Sequence, residues 1–284
     1  MFKYSVTAPE NLPEMTLQAY VLRAFPLLSA AAIRDAFDKR DVKMNGVRAN
    51  RQQTVIPGSE IVIFTNRELN MPVTYEDHHI LIVNKPAGVS TDEDRFGSMT
   101  ILDWANLYAK GTFTPYMCHR LDNQTSGLIV LAKTLEAQAA LQNMFAAHSG
   151  EKEYRCLVKG TPQPRAAIKK AYLAKDAARA VVFISDKEKP GSKEIVTEYK
   201  TLCVGEISLV KVLLHTGRTH QIRAHMRHLG YPLLGDDVYG DREFNRLHRA
   251  RTLSLCAVRL KIDTQGRLPD IDGVEVRIRA PFEK

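Results

Sequence analysis

Cysteine is scarce in this chain of 284 residues, and Cys118, Cys156, Cys203 and Cys256 lie far apart with no C-x-x-C pair. That spacing argues against a disulfide framework and a zinc knuckle, and it favours a reducing compartment. No apolar run approaches the length of a membrane span. The first residues, Met1-Phe2-Lys3-Tyr4-Ser5-Val6, lack the apolar core of a signal peptide. The expectation is therefore a cytoplasmic protein without a membrane partner. Internal repeats and low-complexity tracts are missing too. Acidic residues fall short of basic ones, 32 against 40, for a net charge of +8. Such a balance favours a polyanionic partner without choosing between nucleic acid, anionic membrane and acidic protein.

What is present begins with enough apolar residues, 44%, for a large domain and a small one. Apolar positions at Leu17, Tyr20, Val21, Leu22 and Ala24 predict a helix over 17–25. A second follows Ser29, a suitable N-cap, through Ala30, Ile33, Ala36 and Phe37. Asn45-Gly46 between short alternating runs predicts a hairpin, Pro57-Gly58 another turn, and 60–64 a strand. These elements make a miniature domain over 1–65. Residues 66–74, polar and without period, read as a linker, and 75–284 as a second domain.

That second domain is rich in short strands, predicted at 80–83, 128–132, 154–158, 180–184, 195–201, 208–214, 258–262 and 274–278. Helices are expected at 100–108, 135–147 and 220–229, and the charged stretch 185–193 reads as a hairpin tip. Without regular βα alternation, the pattern argues for an α+β fold with a mixed, mainly antiparallel sheet and flanking helices.

One segment concentrates polar chemistry: Cys118-His119-Arg120-Leu121-Asp122-Asn123-Gln124-Thr125-Ser126-Gly127, running into the apolar Leu128-Ile129-Val130-Leu131-Ala132. A carboxylate on a loop at a strand end, flanked by His119 and Arg120, is expected to be ionised and poised for chemistry. The alternative is an aspartate that caps the turn at Thr125 or Ser126. Three further stretches stand out. One is Asn84-Lys85-Pro86-Ala87-Gly88. Another is Lys152-Glu153-Tyr154-Arg155-Cys156-Leu157-Val158-Lys159-Gly160, with Tyr154, Cys156 and Val158 on one face of a strand. The last is Thr216-Gly217-Arg218-Thr219-His220-Gln221-Ile222-Arg223-Ala224-His225, followed by Gly235-Asp236-Asp237 and Tyr239-Gly240.

Together, in this order, the four stretches resemble the RluA family of pseudouridine synthases. The front of the chain, with Arg40-Asp41-Val42-Lys43-Met44-Asn45-Gly46 joining helix to hairpin, resembles the S4 RNA-binding domain. The resemblance implies an RNA uridine isomerase that needs no cofactor and no metal. It makes Asp122 the catalytic carboxylate, Tyr154 the aromatic under the target base, and Arg223 the charge partner of Asp122. Arg120 corresponds to an arginine that in some members enters the RNA stack in place of the flipped base. By the same analogy Lys85 and Lys152 contact RNA phosphate or shape the cleft, and Arg218 and His220 order the loop that carries Arg223. The S4-like module implies RNA contacts from Arg34, Lys39, Arg40, Lys43 and Arg48. Large-subunit ribosomal RNA is the expected target, with tRNA as the alternative, and a monomer is expected. Cys156 and Cys256 depart from residues common in the family, as does Asn123.

Two other classes stay in view. His215, His220, His225 and His228 could serve a metal-dependent hydrolase, though no H-E-x-x-H is present. A non-catalytic RNA-binding protein would keep the basic charge but would have no need of Asp122, Tyr154 and Arg223 together.

Overall fold

The computed structural model describes residues 1–176 and 181–283. Ala180, read as part of a strand, lies outside them. The chain divides into two compact units, Met1–Pro72 with Gly88–Pro115, and Val73–Ala87 with Tyr116–Lys284. Residues 88–115, in the range read as the second domain, thus group with the first.

In the first unit, α1 (Leu17–Ala24) and α2 (Ala30–Asp38) form where their apolar spacing predicts. Their caps are Thr16 and Ser29, whose hydroxyls accept the N–H groups of Ala19 at 3.3 Å and Ala32 at 3.2 Å. Each such cap stabilises its helix by about 1 kcal/mol. The hairpin of β2 (Val42–Met44) and β3 (Val47–Arg48) turns at Asn45 and Gly46, both at positive φ, as a tight hairpin turn requires. β4 (Glu60–Thr65) closes the module. A strand not anticipated from the sequence, β1 (Phe2–Thr7), pairs antiparallel with β4, giving the order β1-β4-β2-β3. Within the stretch read as a linker, Leu69 and Met71 are buried. Trp104, in α3 (Ile101–Ala109), donates its indole N–H to the Leu69 carbonyl at 3.0 Å.

The second unit holds one long sheet. Its strands, in chain order, are β5 (Val73–Glu76), β6 (Ile80–Lys85), β7 (Tyr116–Met117), β8 (Ser126–Ala132), β9 (Glu151–Lys159) and β10 (Ala166–Asp176). β11 (Val181–Ser185), β12 (Lys193–Cys203), β13 (Ile207–Leu214), β14 (Leu255–Lys261) and β15 (Glu275–Arg277) follow. The spatial order is β11-β10-β12-β13-β9-β14-β8-β6-β5, with β15 on β14 and β7 on β8. Fold class is as expected, mixed α+β and mainly antiparallel. Residues 185–193 are not a hairpin tip, because β11 and β12 flank β10 on opposite sides.

Among the described residues, the parallel pairing in this sheet is that of β8 with β14, where Ser126 meets Cys256 and Gly127 meets Ala257. A β-carbon on Gly127 would stand 2.2 Å from the Ala257 carbonyl oxygen, so only glycine allows this approach. β8 is buried at every position. The helix α4 (Leu135–Ala147) sets Leu141 and Met144 against Ile80, Ile82, Leu128 and Val130. Each such side chain contributes roughly 2 kcal/mol by leaving water. The polar loop ahead of β8 therefore stands on a fully buried, well-packed strand.

Candidate active site

The turn before β8 is closed by its backbone. The Asp122 carbonyl accepts the Thr125 N–H at 3.0 Å, so the carboxylate is not consumed as a cap. It faces Arg223 instead, with Arg223 Nη1 3.8 Å from Asp122 Oδ2, and its side chain keeps 22% of its exposure. Lys85, at the end of β6, donates from its ammonium to the Asn123 carbonyl at 2.9 Å and to the Pro86 carbonyl at 3.1 Å. Lys85 is fully buried. Of its two expected roles, contact with phosphate does not fit this burial, whereas shaping the cleft does, because its amine ties two loops together inside the protein. Burial lowers its pKa to about 7, against the pull of Asp122.

His119 also departs from expectation. Its ring packs on Phe145 at 4.4 Å, and its Nε2 accepts the Val130 N–H at 3.1 Å. Burial, with the charge of Lys152, pushes its pKa well below the usual histidine range. It is a neutral brace for the loop, not a positive neighbour of Asp122. Arg120 is exposed.

Arg223 lies in the first turn of α5 (Gln221–His228) and is 4% exposed. Its tightest partner is not Asp122 but Asp236. Nε donates to Asp236 Oδ2 at 2.7 Å and Nη2 to Oδ1 at 2.8 Å, a bidentate pair with no exposed carboxylate surface. Asp237 adds a contact of 3.2 Å from Nη2. Asp236 is itself fixed, accepting the N–H groups of Val238 and Tyr239 at 2.9 and 2.8 Å. Burial would raise its pKa, but the Arg223 hydrogen bonds outweigh that and hold the carboxyl below the usual range. A β-carbon at Gly235 would meet the Thr252 carbonyl oxygen at 1.8 Å, and one at Gly240 the Asp236 carbonyl oxygen at 2.1 Å. Asp236 was missed as a site residue; its signal was an acid between two glycines downstream of the arginine.

Tyr154 sits mid-strand on β9 and is buried. Burial raises its phenol pKa, and the charge of Asp122 raises it further, so the two groups share one local field. The structure thus brings Asp122, Tyr154 and Arg223 together from three separate stretches. His220 joins them: its Nδ1 lies 3.0 Å from the Tyr239 hydroxyl, and burial lowers its pKa against the pull of Asp122. The loop before α5 is ordered chiefly by Gln221. Its amide oxygen accepts from the Thr216 hydroxyl at 2.9 Å and the Arg218 N–H at 3.1 Å, while Nε2 donates to the Val196 carbonyl at 3.2 Å. Arg218 is exposed and takes part in that ordering through its backbone N–H.

The remaining predicted residues lie elsewhere. Arg34, Lys39, Arg40 and Arg48 are exposed on the first unit. Lys39 pairs with Asp35 at 2.7 Å. Lys43 sits opposite Arg48 in the hairpin, its ammonium 5.3 Å from the Phe64 ring. Lys152 is half-buried at the start of β9. The clustered histidines do not converge. His215 bonds Glu198, His220 Tyr239, His225 Thr197 and His228 Asp186. Among the described residues, no three His, Cys, Asp or Glu side chains gather as a metal site.

Residues 79–228 match the family described as RNA pseudouridylate synthase. The ribosomal large subunit pseudouridine synthase D of Zymomonas mobilis is 36% identical over 74% of this chain and 68% of its own. The ribosomal large subunit pseudouridine synthase C of Rickettsia typhi is 30% identical over 80% of this chain and 82% of its own. Among solved structures, human RNA pseudouridylate synthase domain containing 1 superposes with a TM-score of 0.63 at 28% identity, covering 75% of this chain and 85% of that one. The matched span runs from β6 through α5 and so takes in Asp122, Tyr154 and Arg223. A likeness of this extent, centred on the one place where those three side chains meet, makes the chain a member of the RluA-type RNA pseudouridine synthases, a family of isomerases.

Proposed function

We propose that this enzyme isomerises uridines of large-subunit ribosomal RNA, with Asp122 as its essential acid. The target nucleotide leaves its stack and enters the space between Asp122, Tyr154 and Arg223. The C1′–N1 bond breaks, the uracil turns, and C1′ rejoins through C5. The C5 proton is lost and N1 gains one, so the composition is unchanged and no redox partner is required. Asp122 serves the electron-poor C1′, and Arg223 keeps its carboxylate oriented. Tyr154 offers a flat face to the loose uracil, and Arg120, exposed two residues before Asp122, fills the gap left in the RNA stack.

The ribosomal target is supported by the names of the relatives, which act on the large subunit. An S4-like role for the first unit is supported by the order α1-α2-β2-β3-β4 and by Lys43 facing Arg48 on the hairpin. The observation that carries the reading is the Asp122 carboxylate, left uncapped by its own turn and set 3.8 Å from a buried arginine.

The test uses unmodified transcripts of large-subunit ribosomal RNA and of tRNAs, with pseudouridine mapped after incubation. Wild-type protein is expected to modify the ribosomal transcript, and Asp122→Asn to form no detectable pseudouridine while still binding it. Modification of tRNA alone would move the target. Equal activity in the variant would end the assignment of Asp122.

A further inference from the structure

His220 stands at the N-cap of α5 with φ +55°, in the left-handed region, and its side chain does not cap the helix. A non-glycine residue held there is strained, and folds keep such strain chiefly where a side chain is needed elsewhere. The ring is placed by Tyr239 instead, edge-on, with 5.5 Å between centroids and 71° between planes. The Tyr239 hydroxyl accepts the Val182 N–H at 2.8 Å, which leaves its own proton to be donated to His220 Nδ1, 3.0 Å away. With Nδ1 as acceptor, the neutral imidazole carries its proton on Nε2. Among the described residues that Nε2–H has no hydrogen-bond partner, although the ring is half-buried.

The donor lies beside the reacting centre. His220 is the N-cap of α5 and Arg223 its third residue, so the two share one side of the first turn. Both touch Tyr239, whose ring centroid is 5.3 Å from the Arg223 guanidinium carbon. Arg223 in turn meets Asp122 at 3.8 Å. Burial keeps the imidazole neutral against the pull of Asp122, so Nε2–H is a donor without a full charge. Asp236 and Asp237, the other acids nearby, are engaged by Arg223. A half-buried N–H without an acceptor is costly, and the cost is relieved when an oxygen arrives. Here that oxygen comes with the substrate.

We propose that His220 is a further catalytic residue, whose Nε2–H donates to an oxygen of the flipped uridine, either a uracil carbonyl or the ribose 2′-hydroxyl. This rests on the isomerase reading above. The uracil carbonyls gain negative charge as the C1′–N1 electron pair leaves with the base, so a donor on one of them holds the transition state more tightly than the ground state. The 2′-hydroxyl sits on the carbon next to C1′, and a donor there fixes the sugar against Asp122. In both cases Tyr239 sets the donor before the RNA binds.

The test is single-turnover kinetics on a ribosomal RNA fragment that the wild-type protein modifies, with the target uridine exchanged for 2′-deoxyuridine, 2-thiouridine or 4-thiouridine. His220→Ala is expected to lower turnover roughly a hundredfold. RNA affinity by filter retention and its salt slope are expected to stay unchanged, because a neutral donor releases no counterion. His220→Gln, which brings an amide N–H to a similar reach, is expected to restore part of the turnover. If His220→Ala melts early, His220→Asn repeats the comparison, since asparagine accepts the left-handed backbone. Exchange of the contacted oxygen is expected to slow the wild-type protein and to add little to the loss in the variant, whereas the other exchanges slow both proteins alike. The exchange that loses its effect identifies the oxygen. Equal costs in both proteins for all three exchanges would overturn the inference, as would a salt slope lowered by about one, the mark of a phosphate contact. If the wild-type protein makes no pseudouridine, the isomerase reading fails on its own terms, before any exchange is compared.

Discussion

β9 separates two clusters of charge, and they are built differently. On the face opposite Tyr154, Glu153 is buried between Arg155 and Lys211, accepting from both, with Lys211 at 2.8 Å. Burial pushes the Glu153 pKa up, yet the Lys211 and Arg155 hydrogen bonds win and hold it below the usual range. Arg155 also faces Glu283, its Nε 3.2 Å from the carboxylate, so the charges of this cluster are matched among themselves. On the Tyr154 side, Arg223 is claimed first by Asp236, at 2.7 and 2.8 Å, and meets Asp122 only at 3.8 Å. The arginine is held by an acid that does no chemistry, so Asp122 receives its field without being locked to it. A tight pair makes structure; a tight pair with a third, looser member makes a site.

Replacing one acid in each cluster breaks the symmetry of this comparison. Asp236→Asn removes the charge that orients Arg223, and a displacement of the guanidinium by about 1 Å is expected to cost roughly a hundredfold in turnover. Single-turnover kinetics on the ribosomal transcript would show this, with RNA affinity much less affected. Glu153→Gln is expected to spare turnover while lowering stability by roughly 2 kcal/mol, because it weakens the charged hydrogen bonds of the half-buried Arg155 and Lys211. Thermal melts of both variants would show it. Equal kinetic damage from both would erase the distinction between the clusters.

Acid sharpens the comparison further. His119 and His225 are held neutral mainly by burial, His225 at about 4. A base depressed by folding contributes stability that is complete above its unfolded pKa, near 6.5, and is lost as pH falls toward the folded value. Asp236 and Glu153, also depressed, contribute above their unfolded pKa of about 4 and lose that contribution below it. Tm is therefore expected to fall in two stages between about pH 6.5 and pH 3. Melts across that range check it, and His225→Gln should flatten the first stage. The smallest effect is expected from Lys39→Ala with Arg40→Ala, which should weaken RNA binding a few-fold and lower the salt slope by about two while leaving turnover unchanged.

Much of this was legible in the chain. Asn45-Gly46 specified its hairpin, the helical pattern of 135–147 specified α4, and the Asp122 loop lay where polar sequence met an apolar strand. Other parts were hidden for physical reasons. β10 reads poorly because Lys169 and Lys170 interrupt it and Ile168 faces outward, 61% exposed. β1 precedes its partner β4 by more than fifty residues, and such pairing leaves no local mark. The burial of Lys85 leaves no mark in the sequence, since lysines are almost always exposed; only tertiary structure shows two carbonyls waiting for it. Asp236 looked like one of two acids in a turn, and its bond to Arg223 exists only once α5 is in place.

The pairing of Gly127 with Ala257 carries a consequence for biosynthesis. The strand that supports the Asp122 loop rests on β14, which is among the last parts of the sheet to be translated. A nascent chain that has already made Asp122, Tyr154 and Arg223 still lacks the neighbour that seats the first of them. The seat of the catalytic loop is therefore complete only once β14 has been added to the sheet.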